Sequence, residues 1–152
     1  MEVISSVYQL TVFLASLSKK DSLGFIPTMG ALHKGHASLI KKSLSQNTHS
    51  ICSIFVNPAQ FNNKTDFKTY PNRLDEDISL LKKIGCNAVF TPSKETIYPN
   101  GVPSCVFDFG ALDKVMEGAN RPGHFNGVAL VVSRLFEMIK PQRAYFGEKD
   151  FQ

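Results

Sequence analysis

The 152-residue chain contains no apolar run near the roughly 18 residues that a membrane-spanning helix requires, so no membrane partner is expected. Its amino terminus carries an acidic Glu2 and lacks a basic stretch ahead of the first apolar residues, which argues against a secretory leader. A cytoplasmic protein is the expectation. Cysteine is scarce: Cys52, Cys86 and Cys105 are odd in number, form no CxxC pair and fall in apolar, strand-like segments. They read as reduced core thiols rather than as a disulfide framework. The GxxxxGK[ST] phosphate loop is missing, as are internal repeats, low-complexity tracts and linkers. This length fits one domain around one core. Seventeen Lys and Arg against thirteen Asp and Glu leave a formal charge of +4, but the basic residues are scattered. That pattern suits an anionic small molecule and speaks against nucleic acid as a partner.

What is present is a repeated exchange of helical and strand-like patterns. Val7, Leu10, Phe13, Leu14 and Leu17 recur at steps of three and four, which predicts a helix closed near Lys19 to Asp21. Leu23 to Ile26 reads as a short buried strand ended by Pro27, and Leu39, Ile40 and Leu44 predict a helix starting near Lys34 to His36. A second buried strand is expected over Ser50 to Val56 and a helix over Asp75 to Ile84, with Ile78, Leu81 and Ile84 inward and Gly85 as its stop. Ala88 to Thr91 gives a third strand. Val128, Val131, Val132, Leu135, Phe136 and Ile139 mark an amphipathic helix ending at Pro141, and Arg143 to Phe146 a last strand. Strands alternating with helices predict an α/β fold, a Rossmann-like parallel sheet with helices on both faces. In such sheets ligands bind beyond the carboxyl ends of the strands. The loops after Ile26, Val56 and Phe146 are therefore expected on one rim.

The first of these loops reads PTMGALHKGH, residues 27 to 36. Gly30 and Gly35 allow a backbone to approach a ligand closely, and the start of a helix near Lys34 presents N–H groups and positive partial charge to an anion. His33 and His36, three residues apart, are expected on the same side. Each imidazole can donate to a phosphate oxygen and gain positive charge as a transition state becomes more anionic, which suits nucleotidyl transfer. A second reading makes one histidine a helix cap and leaves the other exposed. Zinc is a third, weakened because no Cys or acidic residue stands nearby to complete a ligand set.

The other rim loops are ambiguous singly. Asn57 and Gln60 offer amides that both donate and accept, matching a ligand with hydroxyl and carboxylate groups, although ordinary turns use the same residues. Gly147, Glu148, Lys149 and Asp150 place a cation and two acids at a sheet edge: Lys149 for phosphate, an acid for a ribose hydroxyl, or else a solvated helix start. Arg121-Pro122-Gly123-His124 reads either as a linker or as a substrate cover. Asp75, Glu76 and Asp77 are explained by the positive end of a helix.

Taken together, PTMGALHKGH, SIFVNPAQF, TYPNRLDEDI, IYPNG, EGANRPGHFNGV and FGEKDFQ stand in the order and at about the spacing of one family. From residue 23 to residue 152 the chain resembles the pantothenate synthetase (pantoate-beta-alanine ligase) family, within the HIGH-motif nucleotidyltransferase superfamily. The resemblance implies a Rossmann-like amino-terminal domain, a homodimer, and condensation of pantoate with beta-alanine by way of a pantoyl adenylate. ATP is consumed with magnesium and yields AMP and pyrophosphate. It further implies that Met29, Gly30, Ala31, Leu32, His33, Lys34, Gly35 and His36 line the ATP phosphates, with His36 the catalytic proton donor. Gln60 would hold pantoate and beta-alanine, and Gly147, Glu148, Lys149 and Asp150 would contact ATP. No protein nucleophile is required, because the substrate carboxylate and then the substrate amine attack. The chain departs from the family pattern at Asn72, where Arg is usual after Tyr-Pro, and it stops at Gln152 inside GEKDFQQ. The expectation is thus a single nucleotide-binding domain over residues 1 to 152, without the family's carboxyl-terminal domain and with little or no turnover alone. Two alternatives stand beside it: a folded nucleotide-binding or dimerisation module, and another nucleotidyltransferase on the same fold.

Overall fold

The computed structural model describes residues 1–150, with the Lys64 side chain excepted. The final Phe151 and Gln152 of the GEKDFQ motif lie outside the described residues. Five strands, β1 (Glu2–Ile4), β2 (Leu23–Thr28), β3 (His49–Ile54), β4 (Ala88–Phe90) and β5 (Arg143–Ala144), form one sheet in the order β1-β4-β3-β2-β5. Every pairing is parallel. The helices are α1 (Val7–Ser16), α2 (Lys34–Gln46), α3 (Lys64–Thr69), α4 (Leu74–Ile84), α5 (Lys94–Ile97), α6 (Met116–Asn120) and α7 (His124–Ile139).

Both sheet faces are covered, as the near-continuous apolar strands require. Successive strand side chains point to opposite faces. Phe25, Ile51 and Phe90 join a core cluster with Leu10 and Phe13 of α1 and Val131, Leu135 and Ile139 of α7. Ile26, Cys52 and Val89 join the other, with Ile40 of α2 and Leu81 of α4. The chain steps outward from β2 through β3 to β4 and then returns past β2 to β5, so strand order reverses between β2 and β5. A crevice is expected beyond the carboxyl ends of these two strands.

Most elements match the periodicity, and the differences have physical causes. Strand β2 continues through Pro27 to Thr28, where the sequence reading ended it at Ile26. Thr28 Oγ1 donates to Ser53 O at 2.7 Å, giving that carbonyl a donor beside a residue that has no N–H. The last strand is shorter than expected, although the Tyr145 N–H still reaches Phe25 O at 2.9 Å. Helix α7 starts at His124, four residues before the first apolar residue of its stripe, because Gly123 enters it in the left-handed region (φ 79°). Strand β1 and helices α3, α5 and α6 had no reading in the sequence; each spans six residues or fewer. Cys52 and Cys86 are buried thiols, as expected. Cys105 is exposed, because the segment after Tyr98 runs outside the sheet.

The carboxyl end of α2 is tied to β5 by a polar seam. Ser43 and Ser50 hydroxyls lie 2.6 Å apart. Asn47 Nδ2 donates to Tyr145 Oη at 2.7 Å, and Arg143 Nη1 donates to Asn47 Oδ1 at 3.0 Å. Gly24 makes this approach possible, since a Cβ there would sit 2.0 Å from Ser43 Oγ.

Candidate active site

The loop after β2 bends sharply. Gly30 and Ala31 both adopt left-handed backbone (φ 83° and 51°), a cost that Ala31 bears only under external restraint. That restraint is Asp77 in the first turn of α4. It is 3% exposed, and its Oδ2 accepts the Ala31 N–H at 2.9 Å while its Oδ1 accepts the Leu32 N–H at 2.7 Å. Helix dipole alone does not explain this acid, so the sequence reading of Asp75, Glu76 and Asp77 is corrected at the third position. Asp75 and Glu76 are exposed, as a dipole role allows.

His33 caps α2, and its Nδ1 accepts the Gly35 N–H at 3.1 Å. His36 Nδ1 accepts the His33 N–H at 3.3 Å, completing a reciprocal cap. The two rings lie 4.1 Å apart at 42°, which brings the pair together as expected. A ring nitrogen that accepts carries no hydrogen, so the neutral form of each imidazole holds its proton on Nε2. The capping and phosphate-binding readings of the sequence are therefore compatible: Nδ1 caps, and Nε2–H remains a donor. Burial pushes the His36 pKa below its ordinary value, with the neighbouring His33 and Lys149 acting in the same direction and Asp150 and Asp77 against it. Those influences bring the Gly147–Asp150 segment into the neighbourhood of His36. Glu148–Asp150 forms a short 3₁₀ turn, in which Lys149 Nζ is paired with Asp150 Oδ1.

The loop after β3 forms a 3₁₀ turn over Pro58–Gln60 and splits the two amides that the sequence grouped together. Asn57 is fully buried and saturated. Its Nδ2 donates to Gly127 O at 2.9 Å, and its Oδ1 accepts from Ala59 N–H and Tyr98 Oη–H at 3.2 and 3.1 Å. It pins the loop to α7 and has no capacity left for a ligand. Gln60 is half-buried and faces a cleft of about 590 Å³; its Oε1 accepts from Asn57 Nδ2 at 3.2 Å, while its Nε2 lies 2.8 Å from the soft Met29 Sδ. Met29, Phe61, Tyr70, Arg121 and His124 also line this cleft.

Arg121 and His124 thus belong to a wall rather than to a linker. His124 Nδ1 lies 2.9 Å from Gln60 O, and Arg121 pairs with Glu117 at 3.2 Å. Sequence reasoning quoted Tyr70 within TYPNRLDEDI but gave it no role as a wall residue. Burial raises its pKa, with Asp77 adding to the effect and Lys149 opposing it. Met29 of the β2–α2 loop lines the cleft too, so cleft and crevice adjoin. Among the described residues, no group of three or more His, Cys, Asp or Glu could hold a metal ion.

The geometry can bind an anion beside two imidazole donors and a lysine, with a half-apolar cleft next to it for a second, organic reactant. Comparison with known proteins points the same way. The family described as Pantoate-beta-alanine ligase matches residues 2–152. A Cytophaga hutchinsonii protein named pantothenate synthetase is 51% identical over 98% of this chain and 53% of its own length. A pantothenate synthetase of Bacteroides fragilis is 52% identical over 100% of this chain and 54% of its own. Among solved structures, a Francisella tularensis pantoate-beta-alanine ligase complexed with beta-gamma ATP and beta-alanine superposes with a TM-score of 0.92 at 44% identity. It covers 95% of this chain and 55% of that one. The chain spans about half the length of the curated relatives it matches.

Proposed function

The chain belongs to the pantoate-beta-alanine ligase family, and from that premise we propose that it is the nucleotide-binding domain of an enzyme that condenses pantoate with beta-alanine at the expense of ATP. The observation that carries this reading is the histidine pair at the β2/β5 crevice, with both Nδ1 atoms committed to the backbone and Nε2–H left as the donor on each ring. In the first step the pantoate carboxylate attacks the α-phosphate, a new P–O bond forms, and the bond to pyrophosphate breaks. In the second step the beta-alanine amine attacks the adenylate carbonyl, AMP leaves with the C–O bond electrons, and the amine proton is lost. Neither step asks the protein for a nucleophile. It must align the reactants and stabilise negative charge in the transition state.

His36 and His33 do this as Nε2–H donors to phosphate oxygens, and Lys149 adds positive charge. With Gln60 Oε1 held by Asn57, Gln60 Nε2, whose partner among the described residues is a thioether, is the donor offered to the pantoate hydroxyl or carboxylate in the adjoining cleft. Magnesium would be carried on the triphosphate, since Mg²⁺ keeps several waters and takes substrate phosphates as ligands. The same reading makes the protein a cytoplasmic homodimer. Val106 and Met116, 80% and 73% exposed, are among the exposed apolar side chains that a partner surface would cover.

Calorimetry with Mg-ATP is expected to show binding to this chain. His36→Ala weakens it by roughly tenfold to a hundredfold, the worth of one hydrogen bond to a charged group. Absence of binding both to this chain and to one of the relatives' full length would refute the assignment. Pyrophosphate release that needs a phosphorylated acceptor instead of pantoate would transfer the assignment to another nucleotidyltransferase.

A further inference from the structure

We propose that Asp77 is a positioning residue for the nucleotide site. It locks the Met29–His33 loop into its left-handed bend and so fixes where His33 and His36 present their donors. The proposal rests on the adenylate-forming reading above only for what the site binds. The geometry itself is independent of that reading.

Three observations converge on this carboxylate. It is buried, yet among the described residues no cationic side chain is paired with it; its partners are two consecutive backbone N–H groups, at 2.9 and 2.7 Å. A carboxylate held by short hydrogen bonds from main-chain donors is a strong, directional clamp. The bend it holds includes Ala31 at φ 51°, which a non-glycine residue keeps only when its surroundings impose it. The fit is also tight from the opposite side. A Cβ on Gly30 would meet Asp77 Oδ2 at 3.0 Å and Ile54 Cγ2 at 3.1 Å, at a backbone angle of +83°.

The clamp has a chemical consequence for the site. Consecutive N–H groups in a left-handed bend would otherwise form an anion nest. Here those of Ala31 and Leu32 already hold a protein carboxylate, and the Gly35 N–H holds His33. Those three N–H groups are therefore closed to a phosphate, and recognition at this end of the crevice leans on the two imidazoles, whose placement depends on the loop, with Lys149 arriving from the turn after β5. Asp77 acts through the loop and touches no reacting atom.

Asp77→Asn keeps the shape and one acceptor but turns an NH₂ group toward the second N–H. Two readouts separate positioning from mere support or mere charge. The first is the titration of His36 by NMR, with the amide protons of Ala31 and Leu32 followed alongside. Loss of the carboxylate charge alone lowers the His36 pKa further, whereas release of the loop rehydrates the ring and raises it toward the ordinary imidazole value. A rise, with faster exchange at both amides, is expected. A fall with unchanged amides overturns the proposal.

The second readout is Mg-ATP affinity, expected to weaken about tenfold in a variant that still melts cooperatively. Unchanged affinity overturns the positioning role. If the unaltered chain binds no nucleotide, the adenylate-forming reading fails, and the NMR arm still decides the clamp. Should Asp77→Asn fail to fold, Gly30→Ala crowds the same contact from the loop side and must shift His36 in the same upward direction. No shift there counts against the clamp.

Discussion

His33 and His36 illustrate how one pair of side chains can serve the fold and the chemistry at once. Each commits Nδ1 to a backbone N–H and so keeps Nε2–H as the remaining donor. This division holds only while the rings are neutral. The His36 pKa is depressed chiefly by burial, so between that value and the ordinary imidazole value near 6.5 the unfolded chain binds more protons than the folded one. Stability therefore rises with pH across this window and is lost as pH falls through it. Melting temperatures recorded between pH 5 and pH 7.5 should decline on the acid side, and His36→Gln should flatten that decline. The HxxH spacing made the pair visible in the sequence, because residues three apart share a helical face. Asp77 was invisible for the opposite reason. It sits in an Asp-Glu-Asp run whose chemistry at a helix start is ordinary, and its partners lie 45 and 46 residues away.

At the scale of elements, the site depends on how α7 seats the Pro58–Gln60 turn. Gly127 lies against it so closely that an added Cβ would stand 2.3 Å from Ala59 O, and the same residue's carbonyl receives Asn57 Nδ2. Gly127→Ala should destabilise the chain by about 1–3 kcal/mol, the usual cost of overpacking, measured by urea unfolding. Because the displaced group is the backbone of the turn, Gln60 should move as well and the neighbouring cleft should change shape. The long elements were legible from period alone: α1, α2, α4 and α7 present apolar stripes, and β2 and β3 are apolar runs closed by loop residues. Helices α3, α5 and α6 were not legible, since four to six residues carry too little period to be read. Asn57 and Gln60 looked equivalent because chain position says nothing about which amide faces inward.

For the whole molecule, parallel pairing of β3, β2 and β5 brings the three rim loops to one edge, which the alternation of strands and helices already implied. The exposed apolar side chains Val106 and Met116 lie outside this edge, on the segment between β4 and α7. If that segment forms the proposed homodimer contact, light scattering behind size exclusion should give twice the 16.9 kDa chain mass, and Met116→Lys should reduce it to one. A single chain mass for the unaltered protein would count against the homodimer.

The clamp between the β2–α2 loop and α4 also bears on how the molecule assembles. Helix α2 can form from neighbours in sequence, but the bend ahead of it waits for a carboxylate translated more than forty residues later and carried in by a docked α4. Contacts of such long sequence separation are costly to close and are favoured only after the intervening chain has ordered. Nucleotide competence should consequently be among the last properties a refolding chain acquires, following the return of helical signal, so that occupied sites report finished molecules rather than merely compact ones.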